Sequence, residues 1–181
     1  MSTAVPAADH LAIVQVLYQY CRGVDRMDAE LTLDCFEPEA QLTYSDNYVG
    51  DAVGFVEWLW PMHAGLINHV HTIGNVVVAA DGSDSASTDA QIRVTLRFEQ
   101  GGQVVDLVGL GRYLDRWVRR DGRWRISART YVTDMTTVIP VATPNVNEEL
   151  RRSAEARRIA GTRDRADPSY ALFDGVDPSS V

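Results

Sequence analysis

From His69 onward the chain changes rhythm, and that change decides its fold class. Ile92, Val94, Leu96 and Phe98 alternate with Gln91, Arg93, Thr95, Arg97 and Glu99, the pattern of a strand with one face in water. Turn signals at Asp81-Gly82, Gly101-Gly102 and Asp121-Gly122 divide this half into four long antiparallel strands, the last pair suited to a two-residue hairpin. Gly109 and Gly111, inside the third of them, permit the sharp bending that lets such a sheet curl round a pocket.

The first half has the other period. Asp9 can cap a helix whose apolar positions Ile13, Leu17, Tyr20 and Val24 recur at spacings of three and four, making one buried stripe. A short helix is predicted over Ala29 to Cys35, a short strand over Gln41 to Tyr44, and a third helix from Asp51 to Leu59, ahead of Pro61. The expected architecture is α+β: N-terminal helices packed on a strongly curved antiparallel sheet, a cone-shaped barrel rather than a parallel sheet. Residues 1–143 form this domain. Within 144–181, Asn147 to Ala160 reads as a helix with Glu148 and Arg152 four apart, and the polar remainder reads as a lid or subunit-contact segment, the alternative being a tail with no role.

Composition removes several classes of function. The 181 residues fit one domain with a core large enough to enclose a cavity. A net charge of -8 argues against a nucleic-acid surface, although Arg112 to Arg129 carries seven arginines against two aspartates. There is no lysine, so a lysine Schiff base and a Walker-type phosphate loop are both excluded. Cys21 and Cys35 cannot supply a four-cysteine zinc site or a disulfide framework. With no apolar run near the ~18 residues of a membrane span, and no basic and apolar leader in Met1 to Asp9, the expected compartment is the cytoplasm.

Asp25 and His71 are the candidate reactive pair. Asp25 closes the first helix, at the negative end of its dipole, and so needs a compensating partner. An imidazole could provide it; the carboxylate would fix the ring's tautomer and raise its basicity, leaving the other nitrogen to take a proton from a substrate carbon. The bland readings stay open: Asp25 can end a helix in water beside Arg26, and His71 can be a satisfied core histidine. Alternation places His69, His71, Ile73 and Asn75 on one strand face. Two histidines there without an acidic third ligand do not make a metal site, and no cofactor is expected. Asn75 could donate to a substrate or belong to a bulge after Gly74. Tyr20 lies about 140° round the helix from Asp25 and can still reach the same pocket. Tyr44 and Tyr48 are candidate donors to a carbonyl or leaving oxygen, with aromatic packing as the alternative. Trp58, Trp60 and Met62 supply an apolar wall.

The Tyr20-x-x-x-x-Asp25 helix, the His71-x-x-x-Asn75 strand and the Asp121-Gly122-Arg123-Trp124-Arg125-Ile126 hairpin together resemble the SnoaL-like branch of the nuclear-transport-factor-2-like superfamily, over roughly Ala8 to Val138. The chain is similar there to scytalone dehydratase, bile-acid dehydratase and hexachlorocyclohexane dehydrochlorinase. That resemblance implies cofactor-free proton abstraction and elimination in a cone-shaped pocket, with Asp25 and His71 as the dyad. The tyrosine of the bile-acid enzyme matches Tyr20, and its Tyr-Ser pair resembles Tyr44-Ser45, which points to a steroid-like or polycyclic hydrophobic substrate. One departure stands out: where that enzyme has an arginine on its last strand, this chain has Thr133, and Arg129, on the same face by parity, either substitutes for it or is a surface charge. Trp124 and Ile126 are core positions in non-enzymatic members as well. The resemblance further implies a homo-oligomer formed through the outer sheet face, a trimer ahead of a dimer.

The resulting expectation is a dehydratase-type lyase whose base is His71, aided by Tyr20 or Tyr44. An isomerase of the ketosteroid-isomerase or polyketide-cyclase kind is the nearest rival, since returning the same proton to another carbon shifts a double bond. A non-catalytic module that holds a hydrophobic ligand is the second, because fold similarity alone never fixes function. A histidine base predicts activity that falls in acid.

Overall fold

Helix α1 (Ala7–Asp25) buries the stripe of Ile13, Leu17, Tyr20 and Val24, as the spacing requires. A computed structural model of the chain describes residues 5–142, 148–156 and 158–173. Asp9 does not cap this helix. Pro6 occupies the N-cap without a side-chain bond, while Asp9, inside the first turn, accepts from Arg119 Nη1 at 2.7 Å and Trp124 Nε1 at 3.0 Å. A charged donor from the sheet competes for the carboxylate better than a backbone N–H does.

Helix α2 (Ala29–Asp34) follows at once, capped by Asp28, which accepts from Leu31 N at 3.1 Å. Strand β1 (Phe36–Tyr44) begins earlier than its alternation suggests, because Glu37-Pro38-Glu39 hides the pattern where the ladder is broken by a bulge. It turns back into β2 (Tyr48–Asp51), an edge strand too short to show a period. Helix α3 (Ala52–Ala64) is capped by Asp51, which accepts from Gly54 N at 2.8 Å. It passes through Pro61 rather than ending at Leu59; in the last turn the proline removes only one ladder donor, and the helix closes at Gly65.

Four long strands follow: β3 (Asn68–Ala80), β4 (Ser85–Gln100), β5 (Gln103–Arg120) and β6 (Arg123–Pro140). The sheet order is β2-β1-β6-β5-β4-β3. The sheet is mixed, not wholly antiparallel as expected, since β1 runs parallel to β6 with Leu42 beside Arg129. Alternation reports which face of a strand is wet; it carries nothing about the direction of the neighbour. Nor is the barrel closed: β2 and β3 remain as two edges.

Curvature comes from irregular register at Ile73/Val76, Leu110/Gly111 and Arg116/Trp117. Gly111 is required at the second of these, because a Cβ there would sit 2.3 Å from the Val132 carbonyl oxygen. Gly109 has no such restriction, a Cβ meeting nothing nearer than Tyr131 Oη at 3.7 Å. The β5–β6 turn matches its sequence signal, with Asp121 and Gly122 at φ 51° and 75°. Trp124 and Ile126 are both buried.

The helix expected over Asn147 to Ala160 is α4 (Glu148–Ala156); Asn147 and Arg157 lie outside the described residues, as does the boundary set at 143/144. Residues 158–173, ending in α5 (Pro168–Leu172), fold back against the ends of α1 and α3 and the start of α2. Among the described residues no helix is long and apolar enough to cross a membrane.

Candidate active site

Strand β3 lies at a sheet edge, so alternate backbone N–H groups have no ladder partner. His71 N is one of them, and Asp25 satisfies it, accepting at 3.0 Å on Oδ1 and 3.1 Å on Oδ2. The same Oδ1 accepts from His71 Nδ1 at 2.8 Å. This double contact, spanning 46 residues of sequence, compensates a carboxylate placed at the wrong end of a helix dipole. A carboxylate only accepts, so the proton of the neutral ring is on Nδ1 and the lone pair is on Nε2. The two side chains are 7% and 12% exposed, which shields the pair from competing water. Asp25 therefore does not end its helix in water beside Arg26; its carboxylate is held by His71.

Two further imidazoles surround this one. His69 is fully buried, with Nε2 3.0 Å from the Val24 carbonyl oxygen. His63, at the end of α3, lies with its ring centroid 4.4 Å from that of His69 and 5.8 Å from that of His71. His63 was not anticipated; its only trace in the sequence is a histidine after Pro61, in what reads as a loop. Among the described residues no group of His, Cys, Asp and Glu is arranged to hold a metal ion.

His63 is expected to make the domain less stable in acid. Burial, reinforced by His69, His71 and Arg163, pushes its pKa down to about 3, whereas an unfolded histidine titrates near about 6.5. Between these values the unfolded chain binds a proton that the folded chain refuses, so stability falls as pH drops through the window. The slope is ~1.4 kcal/mol per pH unit. In His63→Phe the loss of Tm between pH 7 and pH 4 is expected to be clearly smaller than in the wild type, read by circular dichroism. Equal losses in the two proteins would show that His63 accepts its proton without unfolding.

A second cluster faces the core from β6. Arg129 is wholly buried, not a surface charge. Its Nε and Nη2 donate to the two Asp115 oxygens at 2.7 Å each, while Nη1 has no hydrogen-bond partner among the described residues. The guanidinium carbon lies 3.8 Å from the Tyr113 ring centre and 4.3 Å from that of Tyr20, within cation–π range. Burial alone would discharge it, yet the attraction of Asp115 prevails and raises its pKa well above the ordinary arginine value. Tyr20 and Tyr44 meet hydroxyl to hydroxyl at 3.1 Å, and burial raises the pKa of both. They remain phenols, able to donate.

Other expected site residues lie apart. Tyr44 stacks between Phe55 and Tyr131, but Tyr48 spends its hydroxyl on the Asp51 carbonyl oxygen at 2.6 Å and stacks on Trp58. The bulge after Ile73 changes the phase of β3: Ile73 and Val76 pack on the core, and Asn75 is exposed. Thr133 is exposed beside the bulge at Gly111. Trp58 and Trp60 pack on the core, whereas Met62 is exposed. A cavity of about 320 Å³ opens between the start of α1, the β3–β4 turn and the β5–β6 hairpin, lined by Pro6, Asp9, Ser83, Arg119 and Trp124, and touches none of these groups.

Residues 6–130 match the family described as the SnoaL-like domain. The chain belongs to that family. Solved structures agree with the assignment in fold. A candidate scytalone dehydratase from Novosphingobium aromaticivorans superposes with a TM-score of 0.65 at 19% identity, covering 78% of this chain and 96% of its own. A hexachlorocyclohexane dehydrochlorinase from Novosphingobium barchaimii gives 0.61 at 20% identity, with 77% and 94% covered. A protein of unknown function from Mycobacterium tuberculosis gives 0.61 at 25% identity, with 80% and 86% covered. No curated protein matches the sequence. Solved structures of this fold therefore include proteins named as a dehydratase and a dehydrochlorinase.

Proposed function

We propose that this SnoaL-like protein is a cofactor-independent lyase that removes a proton from carbon beside an activating carbonyl of a steroid-like or polycyclic alcohol and expels hydroxide as water. The carrying observation is the 2.8 Å bond from His71 Nδ1 to Asp25, which leaves Nε2 as the one basic nitrogen of that ring. Nε2 takes the carbon-bound proton, the electron pair forms the new double bond, and the leaving hydroxyl departs with a proton from a phenol. Tyr20 and Tyr44, hydrogen-bonded to each other and still protonated, are the donors at hand. Arg129 Nη1, a buried cationic donor without a hydrogen-bond partner among the described residues, can stabilise negative charge that develops on the substrate oxygen. The names of the dehydratase and dehydrochlorinase of the same fold support elimination over other outcomes.

The test is a panel of hydroxysteroids and polycyclic ketols in heavy water, followed by mass spectrometry and proton NMR. Loss of water accompanied by exchange of the α-proton is expected for at least one member. Exchange or a double-bond shift without loss of mass would make the protein an isomerase; binding of panel members with no turnover would make it a ligand-holding module.

A further inference from the structure

We infer that Arg163, on the returning C-terminal segment, is a positioning residue for the Asp25–His71 dyad. The inference rests on the proposed reaction for its kinetic consequence, and on geometry alone for its structural one. Asp25 and His71 form one tie between α1 and β3. A second tie runs beside it, from Val24 to His69, one residue back along the helix and two along the strand. Val24 contributes a carbonyl oxygen, which can only accept, so His69 must carry its proton on Nε2 for the 3.0 Å contact to be a bond.

Arg163 enforces that tautomer. Its Nη1 lies 3.3 Å from His69 Nδ1, and a guanidinium can only donate, so Nδ1 must hold a lone pair. With both ring nitrogens assigned by their partners, His69 has one orientation and one tautomer. Arg163 is itself fixed by two carbonyls: Nη1 donates to His63 O at 2.6 Å and Nη2 to Leu66 O at 2.8 Å. These belong to the end of α3 and the turn after it; His63 O also accepts from Leu66 N at 3.1 Å, so the guanidinium adds to a carbonyl that already closes the turn. One side chain thus joins the end of α3, the start of β3 and, through His69, the last turn of α1. Without it, His69 can move its proton to Nδ1 and turn a lone pair toward the Val24 carbonyl, and the tie becomes a repulsion one residue from Asp25.

The segment carrying Arg163 is built to stay. Arg26 Nη1 donates to Asp167 Oδ2 at 2.7 Å and to Thr162 O at 2.5 Å, Tyr170 Oη donates to Asp28 Oδ2 at 2.6 Å, and Arg22 Nη1 donates to Ser169 Oγ at 2.7 Å. Residues 22, 26 and 28 flank Asp25 on either side. None of these bonds reaches an imidazole, so they separate holding the segment from orienting His69.

The experiment compares Arg163→Met and Arg163→Lys with Arg26→Met, which loosens the segment and leaves the His69 contact in place. Nitrogen-15 NMR of the imidazoles reads the tautomers directly. Expected in Arg163→Met is a mixed tautomer at His69 and loss of the hydrogen-bonded Nδ1–H signal of His71, with both signals retained in Arg26→Met. In the exchange assay kcat should fall by about 10- to 100-fold, by analogy with outer partners that orient metal-bound imidazoles, with KM little changed and partial recovery in Arg163→Lys. An unchanged tautomer at His69 and an intact His71 signal in Arg163→Met would overturn the inference whatever the activity. If the wild type turns over nothing on the panel, the proposed reaction fails and the NMR comparison still decides the role of Arg163.

Discussion

His71→Ala is expected to lower kcat by about 100- to 10,000-fold, the range supplied by a positioned general base, while a bound steroid dissociates with nearly the same constant as from the wild type. The side chain bonds Asp25 through Nδ1, and Nε2 has no hydrogen-bond partner among the described residues; its removal deletes the proposed proton acceptor without removing the tyrosines or Arg129. Asp25→Asn should be nearly as damaging by a different route. An asparagine amide can present N–H toward the ring, which moves the imidazole proton to Nε2 and leaves no base facing the substrate. Steady-state kinetics on the first active panel member, paired with calorimetric titration of product, measures both. A loss below tenfold in His71→Ala would remove His71 from the role of base.

Asp115→Asn is expected to destabilise the fold by about 3–5 kcal/mol, because it leaves a fully buried guanidinium without its counter-charge. Arg129 and Asp115 show no exposed side-chain surface and are joined by two parallel 2.7 Å bonds. For a chain of this length the loss corresponds to a Tm lowered by roughly 10 °C. The paired replacement Arg129→Met with Asp115→Leu removes both charges and should recover most of that stability, since a buried ion pair is often no better than apolar residues of similar volume. The paired variant should nevertheless be inactive if Nη1 serves the substrate oxygen. Urea unfolding and turnover on the same samples separate the two roles. A single substitution costing under about 1 kcal/mol would mean that water reaches the pair.

Much of the scaffold was legible because its signals are short-range. The Ile13-Leu17-Tyr20-Val24 stripe, strand β4 and the Asp121-Gly122 turn each rest on signals within a few residues and appear where expected, although burial along β4 alternates only as far as Arg93 and is even from Val94 to Phe98. Asp25 and His71 were legible as a pair chiefly through a resemblance, since no local force acts over 46 residues. Asn75 shows where parity fails: a single bulge moved it to the outer face while Ile73 and Val76 stayed inside. Arg129 shows the reverse, a charge in an arginine-rich hairpin that the sheet buries against Asp115.

The sequence by itself determined the α+β class, the helical and strand periods and the absence of lysine chemistry. Tertiary structure decided the parallel pairing of β1 with β6, the open edge at β3 that frees a backbone N–H for Asp25, and the meeting of His63, His69 and Arg163. The division has one physical cause. Backbone propensity and turn chemistry are settled among neighbours, whereas the partner of a buried polar group is chosen only when distant segments pack and every remaining donor must find an acceptor.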